Sequence, residues 1–196
     1  MRRRQFLITT SAALAGGSLA LTGCTTTTFD SRNGTAQNTA KRNEIDAGVD
    51  STLARLFNTV DGSRDLIGKA RGVLVFPSVI EAGFWIGGQY GNGALRIDGH
   101  TTGYYSTAGG SFGLQIGAQS KAIIFAFMNQ EALDKFLGSQ GWSAGADATV
   151  ALATVGANGK LDTSTAMSPV EAFVLTNAGL MAGVSLEGTK VSRLVI

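Results

Sequence analysis

Gly72-Val73-Leu74-Val75-Phe76-Pro77 marks the point where the chain changes character. Residues 72–76 are apolar on both parities, which predicts a strand buried on both faces rather than a half-exposed one. Pro77, which cannot donate to a sheet ladder, is expected to end it. The same style continues downstream. Residues 84–89, 93–97, 101–106, 111–118 and 122–128 are further short runs, punctuated by glycine, that read as strands. Asp98-Gly99 separates two of them and is a two-residue hairpin signal. Further strands are expected over residues 146–154, 170–176, 180–186 and 191–195. Asn129 stands where it would cap a short helix over residues 130–137, with Ala132, Leu133 and Phe136 inward.

Upstream of Gly72 the period is helical. Ile45, Val49, Leu56 and Val60, with Leu53 and Phe57, recur at spacings of three and four. They define one apolar face of a helix over residues 44–60. That face either packs on the domain core or meets lipid. Asp61-Gly62-Ser63 stops the helix, and Ser63 is placed to cap a second one over residues 64–70. The expected fold is α+β and strand-dominated. Its core is a strongly bent antiparallel sheet, barrel-like or a sandwich, with an N-terminal amphipathic helix and one or two short helices packed outside. The 27 glycines fit this, because sharply coiled strands need residues without a Cβ. None of them forms a Gly-x-Gly-x-x-Gly turn between strand and helix, and there is no P-loop.

The first 23 residues have a different logic. Arg2, Arg3 and Arg4 precede an apolar stretch that ends in Leu21-Thr22-Gly23-Cys24. This is the layout of a bacterial export signal. Its ending resembles a lipobox, in which the cysteine becomes the acylated N-terminus. Arg3-Arg4-Gln5-Phe6-Leu7 also resembles the twin-arginine motif, so the general and the twin-arginine routes both stay open. Thr25, not Asp, follows the cysteine, which favours the outer membrane facing the periplasm. The division is then 1–23 signal, 24–43 lipidated flexible tether rich in Thr, Ser and Asn, and 44–196 domain.

Removing the signal takes three arginines and no acid. Thirteen basic residues then face 14 acidic ones, a net charge of −1. The basic balance of a nucleic-acid binder is therefore absent, and no nucleic-acid partner is expected. Cys24 is the sole cysteine, so an acylated Cys24 leaves no thiol for disulfides, catalysis or metal. His100 is the sole histidine and lies beside the Asp98-Gly99 turn, and no Gly-x-Ser-x-Gly joins an expected strand to an expected helix, as a nucleophile elbow requires. Neither a triad nor a zinc site can be assembled. No enzyme activity, metal or cofactor is expected.

Four segments carry a family resemblance. They are residues 69–76 (Lys-Ala-Arg-Gly-Val-Leu-Val-Phe), Ala82-Gly83-Phe84 with Gly91-x-Gly93, residues 109–117 (Gly-Gly-Ser-Phe-Gly-Leu-Gln-Ile-Gly), and residues 179–188 (Gly-Leu-Met-Ala-Gly-Val-Ser-Leu-Glu-Gly). Together they resemble the SYLF domain, the lipid-binding actin-regulator family. The resemblance implies binding of anionic phospholipid headgroups, with an N-terminal amphipathic helix in membrane contact. Arg55, Arg64, Lys69 and Arg71 would then meet headgroups. It implies actin association for some members, but a bacterial envelope offers no actin, so none is expected. Three positions often basic in the family are Glu81, Ala157 and Ala178 here. That departure argues against selectivity for polyphosphoinositides. The alternative is an envelope structural or protein-interaction module, with Tyr104, Tyr105 or Trp142 facing the partner.

Overall fold

The computed structural model describes residues 31–154, 161, 168–181 and 185–196. In chain order the elements are α1 (Ser31–Thr59), α2 (Ser63–Lys69), β1 (Gly72–Ile97), β2 (His100–Phe127), α3 (Gln130–Gly138), β3 (Trp142–Ser143), β4 (Val150–Leu152), β5 (Val170–Thr176), β6 (Gly179–Leu180) and β7 (Lys190–Arg193). The class is the strand-dominated α+β expected from the sequence.

The six short strands read between Gly72 and Met128 are two long ones. They form a hairpin in which Ile97 faces His100 across Asp98 (φ 51°) and Gly99 (φ 79°). Two successive left-handed residues make the tight turn whose twist suits a hairpin. Pro77 does not end β1. Pairing passes from Phe76↔Ile123 to Val79↔Lys121, so β1 carries one extra residue there. Such a bulge is one of the few places in a sheet that tolerates a proline.

β2 is the spine. β1 takes one edge along its length. The other edge takes β7 at residues 105–108 and β5 at residues 122–127. Between those stretches the hairpin is two strands wide among the described residues. It also folds back on itself. A Cβ on Gly93 would lie 2.1 Å from the carbonyl oxygen of Val75, and one on Gly91 would lie 2.7 Å from that of Ser78. The two ends of β1 thus touch backbone to backbone, which curls the sheet. β4 runs parallel to β5, the one departure from an antiparallel sheet among the described strands.

Two apolar layers result. Leu74, Phe76, Leu95, Phe125 and Phe127 face α3 and Trp142, whose ring meets Phe125 at 5.4 Å and Phe136 at 5.8 Å. Val73, Val75, Ile124, Phe173 and Leu175 share the second layer with Ile45, Val49 and Leu56 of α1 and with Val60 just after it. Residues 73–76 are therefore buried on both faces, as their unbroken apolar run required.

The helix ends differ from expectation in two places. α1 begins at Ser31, inside the stretch read as tether, and residues 34–40 of it are exposed. Ser63 does not cap α2. Gly62 (φ 84°) holds the cap position, and the buried Ser63 hydroxyl donates to Val60 O at 2.6 Å, sealing the end of α1 instead. α3 follows the sequence reading: Asn129 Oδ1 accepts from Ala132 N at 2.8 Å, and Ala132, Leu133 and Phe136 are buried. Asn129→Ala is expected to cost about 1 kcal/mol, read as a lower urea midpoint at unchanged slope. The strands expected over 146–154 and 180–186 reduce to β4 and β6, with residues 182–184 outside the described set. β3, paired with β7, carried no strand signal.

Candidate functional site

The position of α1 decides which surfaces are free. Its apolar face is spent on the domain's own core: Val49 and Leu56 are fully buried and Val60 nearly so. A polar clamp fixes the same helix to the hairpin end. Asp46 accepts from Thr101 Oγ1 at 2.7 Å and from the Tyr104 hydroxyl at 2.8 Å. Arg96 pairs with Asp50 at 2.9 Å and with Asp46 at 3.6 Å. Burial, and then the hydrogen bond and charge of Asp46, push the Tyr104 hydroxyl above its ordinary pKa. Of the two expectations for this helix face, packing on the core is the one observed.

The four basic residues singled out from the sequence lie on consecutive elements. Arg55 is half-buried on α1. Arg64 is exposed at the start of α2, its guanidinium 4.3 Å from the centre of the Phe57 ring. Lys69 ends α2, and Arg71 leads into β1, its backbone N–H donating to Phe127 O at 2.8 Å. Both side chains are exposed. No ion pair among the described residues involves any of the four. They can act as distributed charge along α1, α2 and the start of β1.

A second cationic feature was not read from the sequence. A groove of about 470 Å³ lies between Arg42 of α1, residues 101–104 of β2 and residues 193–196. Arg42 Nη2 donates to Ile196 O, and Leu194 N donates to Tyr104 O at 2.8 Å. The groove therefore brings together two arginines, Arg42 and Arg193, from distant parts of the chain. Arg42 was hidden because it sits in a polar stretch with no periodicity. Arg193 was hidden because it is the last residue of a four-residue strand.

Of the aromatics considered as partner contacts, Trp142 and Tyr105 are buried, at 1% and 8% exposed, while the half-buried Tyr104 is held by Asp46 and lines the groove. His100 is exposed at the hairpin turn. Among the described residues, no three His, Cys, Asp or Glu side chains come together as a metal would require. No helix among them is long and apolar enough to cross a membrane. Glu171 is buried on β5 with neither carboxylate oxygen hydrogen-bonded, and burial raises its pKa. Cys24 and the lipobox lie outside the described residues.

Residues 108–194 match a family model described as Ysc84, Las17-binding protein actin regulator. The match spans two of the four motif segments, residues 109–117 and 179–188, and covers β5, β6, β7 and most of β2. No curated protein matches the chain. Over residues 108–194, a little under half of its length, the chain is thus similar to the Ysc84 (SYLF) family of actin regulators, the family that the motif segments resemble.

Proposed function

We propose that the chain is a membrane-anchored bacterial lipoprotein whose domain binds phospholipid and catalyses nothing. The observation that carries this reading is the lipobox-like Leu21-Thr22-Gly23-Cys24 in the same chain as a match to the Ysc84 (SYLF) family. Acyl chains on Cys24 supply location; one chain alone binds marginally, several bind stably. Tethering raises the effective concentration of the domain at the surface, so weak intrinsic affinity suffices. The domain adds the exposed cations Arg64, Lys69 and Arg71, with the half-buried Arg55 beside them, as distributed positive charge towards anionic headgroups. Each such charge near an anionic surface contributes about 1 kcal/mol. Glu81, where the family often has lysine, pairs with Lys121 at 2.9 Å and so adds no net repulsion. The lipid role of the family is carried over and its actin role is not, because the proposed location is the outer membrane facing the periplasm.

Two measurements test the reading. Labelled palmitate is expected to enter the wild-type protein in cells and not Cys24→Ala; equal labelling of both would remove the anchor. Unacylated protein is expected to float with vesicles containing anionic lipid at low salt, and to be released at high salt. Failure to float under any condition would leave Cys24 as the sole membrane contact and favour the protein-interaction reading.

A further inference from the structure

We propose that the outward face of the β1–β2 ribbon, over residues 80–90 and 108–120, lies against the bilayer interface. The inference rests on the phospholipid reading and names a surface for it, apart from the distributed charge around α2.

The ribbon alternates with a period of two. From Thr107 to Lys121 every second residue reads Thr-Gly-Ser-Gly-Gln-Gly-Gln-Lys, and the residues between them read Ala-Gly-Phe-Leu-Ile-Ala-Ser. On β1, Glu81 to Gln89 gives Glu-Gly-Trp-Gly-Gln, and Ile80 to Tyr90 gives Ile-Ala-Phe-Ile-Gly-Tyr. One set is polar or glycine, with Trp85 the exception. The other is mostly apolar and carries no charge. A period of two puts the sets on opposite faces. The pairing keeps them there: residues 83–85 of β1 span residues 113–117 of β2, and this even insertion returns the alternation to the same faces.

The two faces are turned the wrong way for water. The polar set faces into the fold of the hairpin, where a Cβ on Gly91 would meet Ser78 O. Gln89 is 7% exposed, Thr107 is fully buried, and Glu81 pairs with Lys121 at 2.9 Å; Gln119 beside that pair is exposed. The apolar set faces out. Ile80 is 56% exposed and Tyr90 is 53% exposed. A half-solvated sheet does the reverse, apolar in and polar out. Polar in and apolar out is the pattern of strands that meet lipid. The face also continues one that is already apolar. Ala94, Ala122 and Ile124 lie in the layer that α1 covers, and exposure begins at Ser120.

The bilayer is the occupant that the rest of the chain supplies. α1 packs on this same face and runs back towards Cys24. Only residues 25–30 separate Cys24 from Ser31, a reach of at most about 25 Å. Tyr90 offers an aromatic ring with a polar tip, the kind of side chain enriched at headgroup level. The outward set offers no charge to pair with a protein partner. Depth is limited by the backbone. Among the described residues each strand of the ribbon has one unpaired edge over this stretch, and hydrocarbon would leave those groups unsatisfied. The face therefore lies in the interface and does not cross the membrane.

The test places benzoylphenylalanine at Ile80, Tyr90 or Leu137 of the full acylated chain, in vesicles of phosphatidylcholine and phosphatidylglycerol that carry radiolabelled lipid. Leu137 is the control: it is 46% exposed on α3, which packs on the other apolar layer. Irradiation is expected to attach lipid at 80 and 90 about fivefold more than at 137. In the full unacylated chain, Ile80→Ser with Tyr90→Ser is expected to weaken vesicle binding about tenfold, and Leu137→Ser to leave it unchanged. Unchanged urea midpoints show that the variants fold. Equal lipid attachment at all three sites, with the unacylated wild type still floating, would overturn the ribbon and leave lipid binding through the α2 cations standing. Crosslinks from 80 and 90 to a second copy of the chain in place of lipid would overturn the bilayer contact and make the face one between copies. No flotation of the unacylated chain, together with no lipid attached at 80 or 90, would remove the phospholipid reading and the ribbon together.

Discussion

Gly93→Ala is expected to prevent the domain from folding. The added methyl would sit 2.1 Å from the carbonyl oxygen of Val75 and 2.6 Å from the Phe76 ring, far inside contact distance. Neither neighbour can retreat. Val75 is held in register with Ile124 and Gly93 with Tyr105, and Phe76 is fully buried. Relief would require the two ends of β1 to part, which opens the curl and both apolar layers. A loss of more than about 4 kcal/mol is expected, comparable to the whole stability of many domains. Gly88→Ala and Gly110→Ala are the controls, because nothing lies within 4 Å of either added methyl; both should stay within about 0.5 kcal/mol of wild type. Circular dichroism and urea unfolding of the three variants decide the matter. A cooperative Gly93→Ala with a wild-type midpoint would mean that β1 does not cross itself.

Glu171 is expected to contribute stability that is lost as pH rises. This carboxyl is 1% exposed, lies between Ala126 and Ala151 across the ladders, and has no hydrogen-bond partner for either oxygen among the described residues. Burial penalises the charged form, so the native pKa is raised above that of the unfolded chain. The native state then holds a proton that the unfolded state releases. The contribution to stability is fully present below the unfolded pKa and is lost as pH rises through the native one. Glu171→Met, which removes the charge and keeps the volume, should raise stability at about pH 8 by roughly 2 kcal/mol and flatten the slope. Glu171→Gln should flatten the slope while gaining less, because an unpartnered amide is still buried. A stability difference between wild type and Glu171→Gln that does not change with pH would contradict the assignment.

Local signals survived into the structure where the chain decides locally. Asp98-Gly99 became the hairpin turn, Asn129 became a cap, and the spacing of Ile45, Val49, Leu56 and Val60 became the buried face of α1. Signals failed where a distant contact takes over. Pro77 looked like a stop because sequence cannot show that its neighbour strand skips a residue there. Ser63 looked like a cap because its partners, Leu56 and Val60, belong to the preceding helix. Trp142 and Ser143 form a strand only because β7 lies alongside, and two residues have no period to read. The basic cluster around α2 was legible as adjacent charges. The Arg42–Arg193 groove was not, since its two arginines meet only after β7 docks on β2.

That docking has a further consequence for the order of events in biosynthesis. β7 closes on residues 105–108 and is the strand on which β3 depends. These pairings span long loops, whose closure is entropically costly and kinetically slow. A nascent chain lacking residues 190–193 can form the β1–β2 hairpin but cannot complete its sheet. The sheet of the nascent domain therefore keeps an open edge on β2 for as long as those four residues are unmade.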